Sequence, residues 1–159
     1  MIASSLDMLE DSLIKKIEVM DRIQEENDRQ TEVLKNSEEV DEKAFDDTVE
    51  KKGELVDQLL LLDEGFQSLF DRVKEELGNN KDMYKEQIGR LQNLIHEVMD
   101  RSLSIEAHEH RNKKLAEQYF STTRQRLESN KKSSAVAFNY YQTMNKFKDI
   151  PPQFLDQKN

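Results

Sequence analysis

One seam constrains this chain more than any other feature. Taken at alternating steps of four and three, Tyr84, Ile88, Leu91, Ile95, Val98, Ser102, Ile105, Glu109, Asn112, Ala116, Tyr119, Thr123 and Arg126 form an unbroken heptad ladder. Gly89 is the only Gly or Pro within it, and it lies off the seam. Such spacing puts every named residue on one stripe of an α-helix. A helix of roughly 45 residues is about 70 Å long and needs partner helices of similar length beside it. The first half of the stripe is apolar, whereas Ser102, Glu109, Asn112 and Thr123 dilute the second. A seam that turns polar is expected to be less permanently sealed.

Two more stripes precede it. Leu6, Leu9, Leu13, Ile17, Met20 and Ile23 continue through Asn27 and Gln30 to Leu34, which predicts a helix near 4–35 with Ser4 or Ser5 as its cap. Phe45, Val49, Lys52, Val56, Leu59, Leu62 or Asp63, Phe66, Phe70, Val73 and Leu77 predict a second helix near 41–77. Asn36-Ser37-Glu38-Glu39 between them fits a turn or a fresh capping box, Asn36 with Glu39. The run Leu59–Leu62 widens the apolar face of the second helix and marks it as the central contact. Gly78-Asn79-Asn80 is a stop signal, and the third helix is expected over 81–129. Short turns between long helices imply an all-α, elongated, antiparallel three-helix bundle. The third helix, being longest, is expected to overhang at its C-terminal part or to contact only one neighbour there. Gly53 and Gly65 weaken the second helix by roughly 1 kcal/mol each relative to Ala, and the expected return is close approach or slight bending.

Composition supports thin helical rods. Charged residues make up 36%, against a usual ~25%, and four Gly and two Pro leave little turn chemistry for an all-β fold. There is no Cys, so disulfides and thiolate metal sites are excluded. No basic stretch followed by an apolar run opens the chain, and no apolar run approaches membrane-spanning length. A soluble, cytoplasmic protein without stable membrane insertion is expected. Residues 1–129 hold 19 basic and 31 acidic residues, whereas 130–159 hold five Lys and two Asp. The acidic body disfavours nucleic acid as a partner. The two regions read as a rod, 1–129, and a basic, aromatic-rich extension, 130–159. The extension carries Phe138, Tyr140, Tyr141, Phe147 and Phe154, five of the 11 aromatics in the chain. Within it, Val136, Tyr140 or Tyr141, Met144 and Phe147 share helical spacing over Ala135–Lys148.

Nothing in the chain points to catalysis or a cofactor. His108 and His110 are two apart and face opposite sides of a helix; Glu106 and His110 supply only two ligands; His96 stands alone. Surface histidines are the expectation. No Gly-rich phosphate loop or nucleophile elbow occurs, and Asp and Glu are too numerous for any one pair to be informative. Asn112 reads as a register-fixing Asn, an exposed residue or part of a docking face.

The pattern of Phe45, Val49, Lys51 or Lys52, Leu55, Val56, Leu59, Leu62 and Asp63, then Ile105, Asn112 and Leu115, then the closing Phe154-Leu155-Asp156-Gln157-Lys158-Asn159, resembles the FlgN-like family of bacterial flagellar export chaperones, close to the FliT group. The resemblance implies a cytoplasmic, non-enzymatic type III export chaperone. Its clients would be late flagellar subunits, the hook–filament junction proteins FlgK and FlgL or the filament cap protein. These are held through C-terminal amphipathic helices before transfer to the export gate. It also implies a client-binding region from Asn112 to Phe147, comprising Asn112, Leu115, Tyr119, Val136, Phe138, Tyr140, Tyr141, Met144 and Phe147. Tyr119, Tyr140 and Tyr141 are the candidates for docking to the gate. The competing reading is a structural or adaptor coiled coil that self-associates, for example as a homodimer, through the same seam.

Overall fold

The computed structural model describes residues 2–126. Three α-helices, α1 (Ile2–Leu34), α2 (Glu42–Leu77) and α3 (Lys85–Arg126), follow one another, with a short 3-10 turn at Lys81–Tyr84 before α3. No strand occurs among the described residues. The extension at 130–159, with Val136, Phe138, Tyr140, Tyr141, Met144 and Phe147, lies outside them.

Local chemistry sets the ends. Asp41, not Asn36, caps α2: its Oδ1 accepts from the Ala44 N–H at 3.2 Å. Asn36 instead folds a local turn, its side-chain oxygen accepting from the Glu38 N–H at 3.1 Å. At the other end of α2, Gly78 adopts φ +51 and returns its N–H to the Lys74 carbonyl. That backbone strongly favours glycine. Neither Ser4 nor Ser5 is a cap, because α1 is already helical from Ile2. Gly53 and Gly65 mark no close approach, since a Cβ at either would meet nothing within 4 Å.

Cross-helix pairs define direction. Between α1 and α3, Asp7–Gln87, Glu10–Arg90 and Asp21–Arg101 each join residues 80 apart, so the two helices run the same way. Between α1 and α2, separation shrinks from 47 at Lys16–Asp63 to 25 at Asn27–Lys52 and 18 at Gln30–Thr48. The second helix therefore runs against the first. The backbone of α1 packs closely on both neighbours, while α2 and α3 meet across the core mainly through side chains. With α1 of 33 residues, the bundle is about 50 Å long.

The core divides in two. Leu6, Leu9, Leu13, Phe66, Val73, Leu91 and Ile95 form one cluster near the α2–α3 turn. Val19, Met20, Ile23, Leu34, Phe45, Val49, Val56, Leu59, Ile105, Ala116 and Tyr119 form the other. Val98 packs against both. Each fully buried aliphatic side chain stabilises the fold by about 1.5–3 kcal/mol relative to exposure. The Leu59–Leu62 run is not a uniform contact: Leu59 is fully buried while Leu61 is 69% exposed. Nor do Leu62 and Phe70 reach full burial; they flank the core, and α1 supplies the packing surface between α2 and α3.

The expected overhang of α3 is absent up to Arg126. Its last turns lie along the α1–α2 connection, where the Arg126 guanidinium donates to the Glu38 carbonyl at 3.1 Å. Phe45 opens α2 beneath them and makes edge-to-face contacts with Tyr119 and Phe120, at centroid distances of 5.6 and 5.8 Å.

Candidate functional site

Heptad spacing places polar residues from all three helices at one level. Asn27, Gln30 and Thr31 come from α1, Thr48 and Lys52 from α2, and His108, Glu109 and Asn112 from α3. The Lys52 ammonium, with no exposed surface, sits at their centre. It donates to Asn27 Oδ1 at 2.7 Å, to Gln30 Oε1 at 2.7 Å and to the Glu109 carboxylate at 2.9 and 3.1 Å. Three ammonium protons thus serve three side chains, one proton being shared by the two carboxylate oxygens. Gln30 passes its own N–H to Thr48 Oγ1 at 3.0 Å, and Thr48 donates to the Phe45 carbonyl at 2.6 Å. Burial pulls the Lys52 amine down to about 8, with Glu109 opposing that pull. The residue stays a cation at neutral pH, which the three-acceptor geometry requires.

A second chain of bonds joins α3 to α1. Asn112 Nδ2 donates to the Asn27 carbonyl at 3.0 Å, so its Oδ1 faces Thr31 and accepts from the hydroxyl at 2.7 Å. Thr31 Oγ1 also lies 2.9 Å from the Asn27 carbonyl and 2.9 Å from His108 Nε2, so its one proton is contested by these acceptors and the His108 tautomer follows from which of them takes it. Burial, aided by Arg111, lowers the His108 pKa and keeps the ring neutral. His108 is therefore a core histidine, contrary to the expectation of a surface one, whereas His96 and His110 are exposed. Among the described residues, no group of three or more His, Cys, Asp or Glu is arranged to hold a metal ion.

A smaller polar tie lies between the two apolar clusters. Lys16 Nζ meets Asp63 Oδ1 at 2.6 Å, both side chains being largely buried. Burial raises the Asp63 pKa against the pull of Lys16.

A shallow polar concavity lined by Arg29, Asp41, Lys43, Asp46, Asp47 and Glu50 lies near the start of α2, and an apolar one lies at the opposite end from Lys52. A groove of about 140 Å³ opens between α2 and α3 beside their turn, floored by Leu6 and Leu9 of α1. Phe70, Val73 and Leu77 form one wall, and Ile88, Leu91 and Ile95 the other. Its polar lining is Lys74, Lys81 and Gln92, with no carboxylate. The volume suits one or two anchoring side chains rather than a drug-sized ligand.

The residues expected to bind a partner fall differently. Asn112 and Tyr119 are buried within the bundle, and Leu115 packs against its core. Their stretch of the seam is closed, although it is the polar half. Ser102 and Thr123 are half-buried, and Glu109 is inside. The sequence marked Asn27, Gln30, Lys52, Glu109 and Asn112 as seam residues, yet their meeting at one level was missed. A usable signal existed: reflecting Lys52 through the middle of the first connection lands about one helical turn from Asn27, and through the second, beside Glu109.

No helix among the described residues is long and apolar enough to cross a membrane. No protein-family model, no curated protein and no solved structure matches this chain.

Proposed function

We propose that this protein is a non-enzymatic helix-binding chaperone of the flagellar type III export kind, acting in the cytoplasm on late flagellar subunits. The observation that carries the reading is the open apolar groove between α2 and α3. Its two walls stand about one helix-turn sequence apart, and its floor is a third helix. An amphipathic helix lays its apolar face into such a groove, with i, i+3 and i+4 side chains as anchors. A C-terminal helix that later packs inside a filament exposes just such a face before assembly. The resemblance of the Phe45–Asp63 and Ile105–Leu115 stretches to export chaperones supplies the client class. Lys74 and Lys81 on the groove favour a client helix carrying carboxylates beside its apolar stripe.

The acidic body, net −12 over 1–129, keeps the unloaded chaperone soluble by self-repulsion. Residues 130–159, with Val136, Phe138, Tyr140, Tyr141, Met144 and Phe147, remain part of the proposed contact region with the client or the export gate.

Calorimetry of the full chain against C-terminal segments of the hook–filament junction and cap subunits tests the proposal. Binding to at least one segment is expected, weakened at least about tenfold by Val73→Asp in the groove wall. Absence of binding to every segment, with sedimentation showing a stable homodimer, would replace this reading by the self-associating adaptor.

A further inference from the structure

We propose that the buried polar groups of α1, meeting Lys52 at one level and Asp63 at another, are a register lock that admits a single alignment of α1 on the α2–α3 pair. The apolar seam alone does not choose an alignment. Sliding α1 by one heptad, about 10 Å, brings Met20 and Ile23 to the places of Asn27 and Gln30, and one apolar stripe still faces another. The seven-residue connection, 35–41, spans up to roughly 24 Å and tolerates such a slide.

The polar groups do not tolerate it. After the slide Lys52 faces Met20 and Ile23, losing two of the three side chains that its ammonium now serves. Asn27 moves to the apolar place of Leu34, and Gln30 passes beyond the native end of α1. Lys16 leaves Asp63, and Leu9 takes its place. Buried polar atoms left without partners make every shifted alignment unfavourable, while the native one gives the Lys16 and Lys52 ammonium groups, Asn27 and Gln30 their partners. Two locks at separate levels also prevent α1 from pivoting about either one. Polar seam residues have this alignment role in coiled coils, where stability is exchanged for a unique arrangement.

The chain has no Cys, so paired cysteines report alignment directly. Glu10→Cys with Arg90→Cys marks the native register, since these side chains meet at 3.0 Å. Glu10→Cys with Glu97→Cys marks the register slid by one heptad. Treatment of the full chain with a short thiol-to-thiol reagent should join only the native pair in the otherwise unaltered background. Next, the polar set of α1 is moved one heptad: Leu9→Lys with Lys16→Leu, Met20→Asn with Asn27→Met, and Ile23→Gln with Gln30→Ile. In that background the product should switch to the slid pair, which gains at least about tenfold over the native one. In a third background both levels are made apolar, with Lys16→Leu, Asn27→Leu, Gln30→Leu, Lys52→Met, Asp63→Leu and Glu109→Leu together, and both pairs should react while circular dichroism shows full helix. That apolar background decides the matter if the relocated chain fails to fold. Exclusive reaction of the native pair there, or reaction of the slid pair in the unaltered background, overturns the lock.

Discussion

The two ends of this bundle reverse what their residues suggest. At the α1–α2 turn the seam is polar, yet Ile105, Leu59 and Asn27 have no exposed surface and Asn112 has 1%. At the α2–α3 turn the seam is apolar, yet Leu91 and Ile95 each keep 8% exposure and border a groove. The reason is geometric. Lys52 draws side chains from all three helices to one point, and Phe45, Tyr119 and Phe120 close the space above it. At the other end no polar centre among the described residues pulls α2 and α3 together. Apolar character therefore says what prefers to be covered, whereas closure depends on how many elements share a directional contact.

The contrast breaks most readily at Lys52. Lys52→Met leaves Glu109, Asn27 and Gln30 buried without their donor, with an expected loss of about 3–5 kcal/mol in denaturant titration. Adding Glu109→Leu should recover most of it, because an apolar pair of similar volume is often neutral or better than a buried ion pair. A single-variant loss below ~1 kcal/mol would mean that the polar centre does not seal this end.

Core truncations sharpen the comparison next. Ile105→Ala at the closed end should destabilise by about 4 kcal/mol, and Leu91→Ala beside the groove by about 2 kcal/mol, since its site is already partly open. Equal losses would show that the ends are packed alike.

Titration separates the ends more gently. His108 and Lys52 are both bases whose protonation the fold resists, so their native pKa values lie below those of the unfolded chain. The unfolded chain then binds more protons, and stability attributable to these groups rises with pH. For Lys52 the window runs from about 8 to the ordinary 10.5; for His108 stability falls as pH drops through 6.5. The difference in melting temperature between the native chain and Lys52→Met should widen across pH 8 to 10, in favour of the native chain. A constant difference would remove the titration from Lys52.

The smallest effect lies on the surface between the ends. Gly65→Ala should stabilise α2 by up to ~1 kcal/mol, because the site is helical, exposed and open around the missing Cβ. A loss instead would indicate bending at Gly65.

Periodicity made the three helices and most of the core legible. The buried set of α2 follows the stripe from Phe45 to Leu77, apart from Thr48 joining it and Leu62 and Phe70 staying at its edge. Buried polar partnerships were less legible, because they depend on alignment between helices and not on the pattern within one. Lys52 looked like an interruption of an apolar stripe; only its distance from each turn shows that it faces Asn27 and Glu109. Lys16 escaped notice entirely, since it neighbours the stripe residue Ile17 and its partner Asp63 is 47 residues away. The groove was illegible for a related reason. Ile88, Leu91 and Phe70 read as ordinary core, and the groove they border exists because the backbones of α2 and α3 rarely come close, a property of the assembled bundle.

The Lys52 ammonium behaves like a coordinated ion that cannot diffuse away. Helical bundles that organise themselves around a bound cation depend on its supply and lose their centre to a chelator. Here the cation is tethered by its own four-carbon stem, ligated by two amide oxygens and a carboxylate. Its effective concentration is fixed by synthesis of the chain. Because the cation is part of the chain, a chelator cannot extract it; what stays adjustable is its proton, which burial loosens, so the centre's contribution to stability grows as pH rises from about 8 toward 10.5.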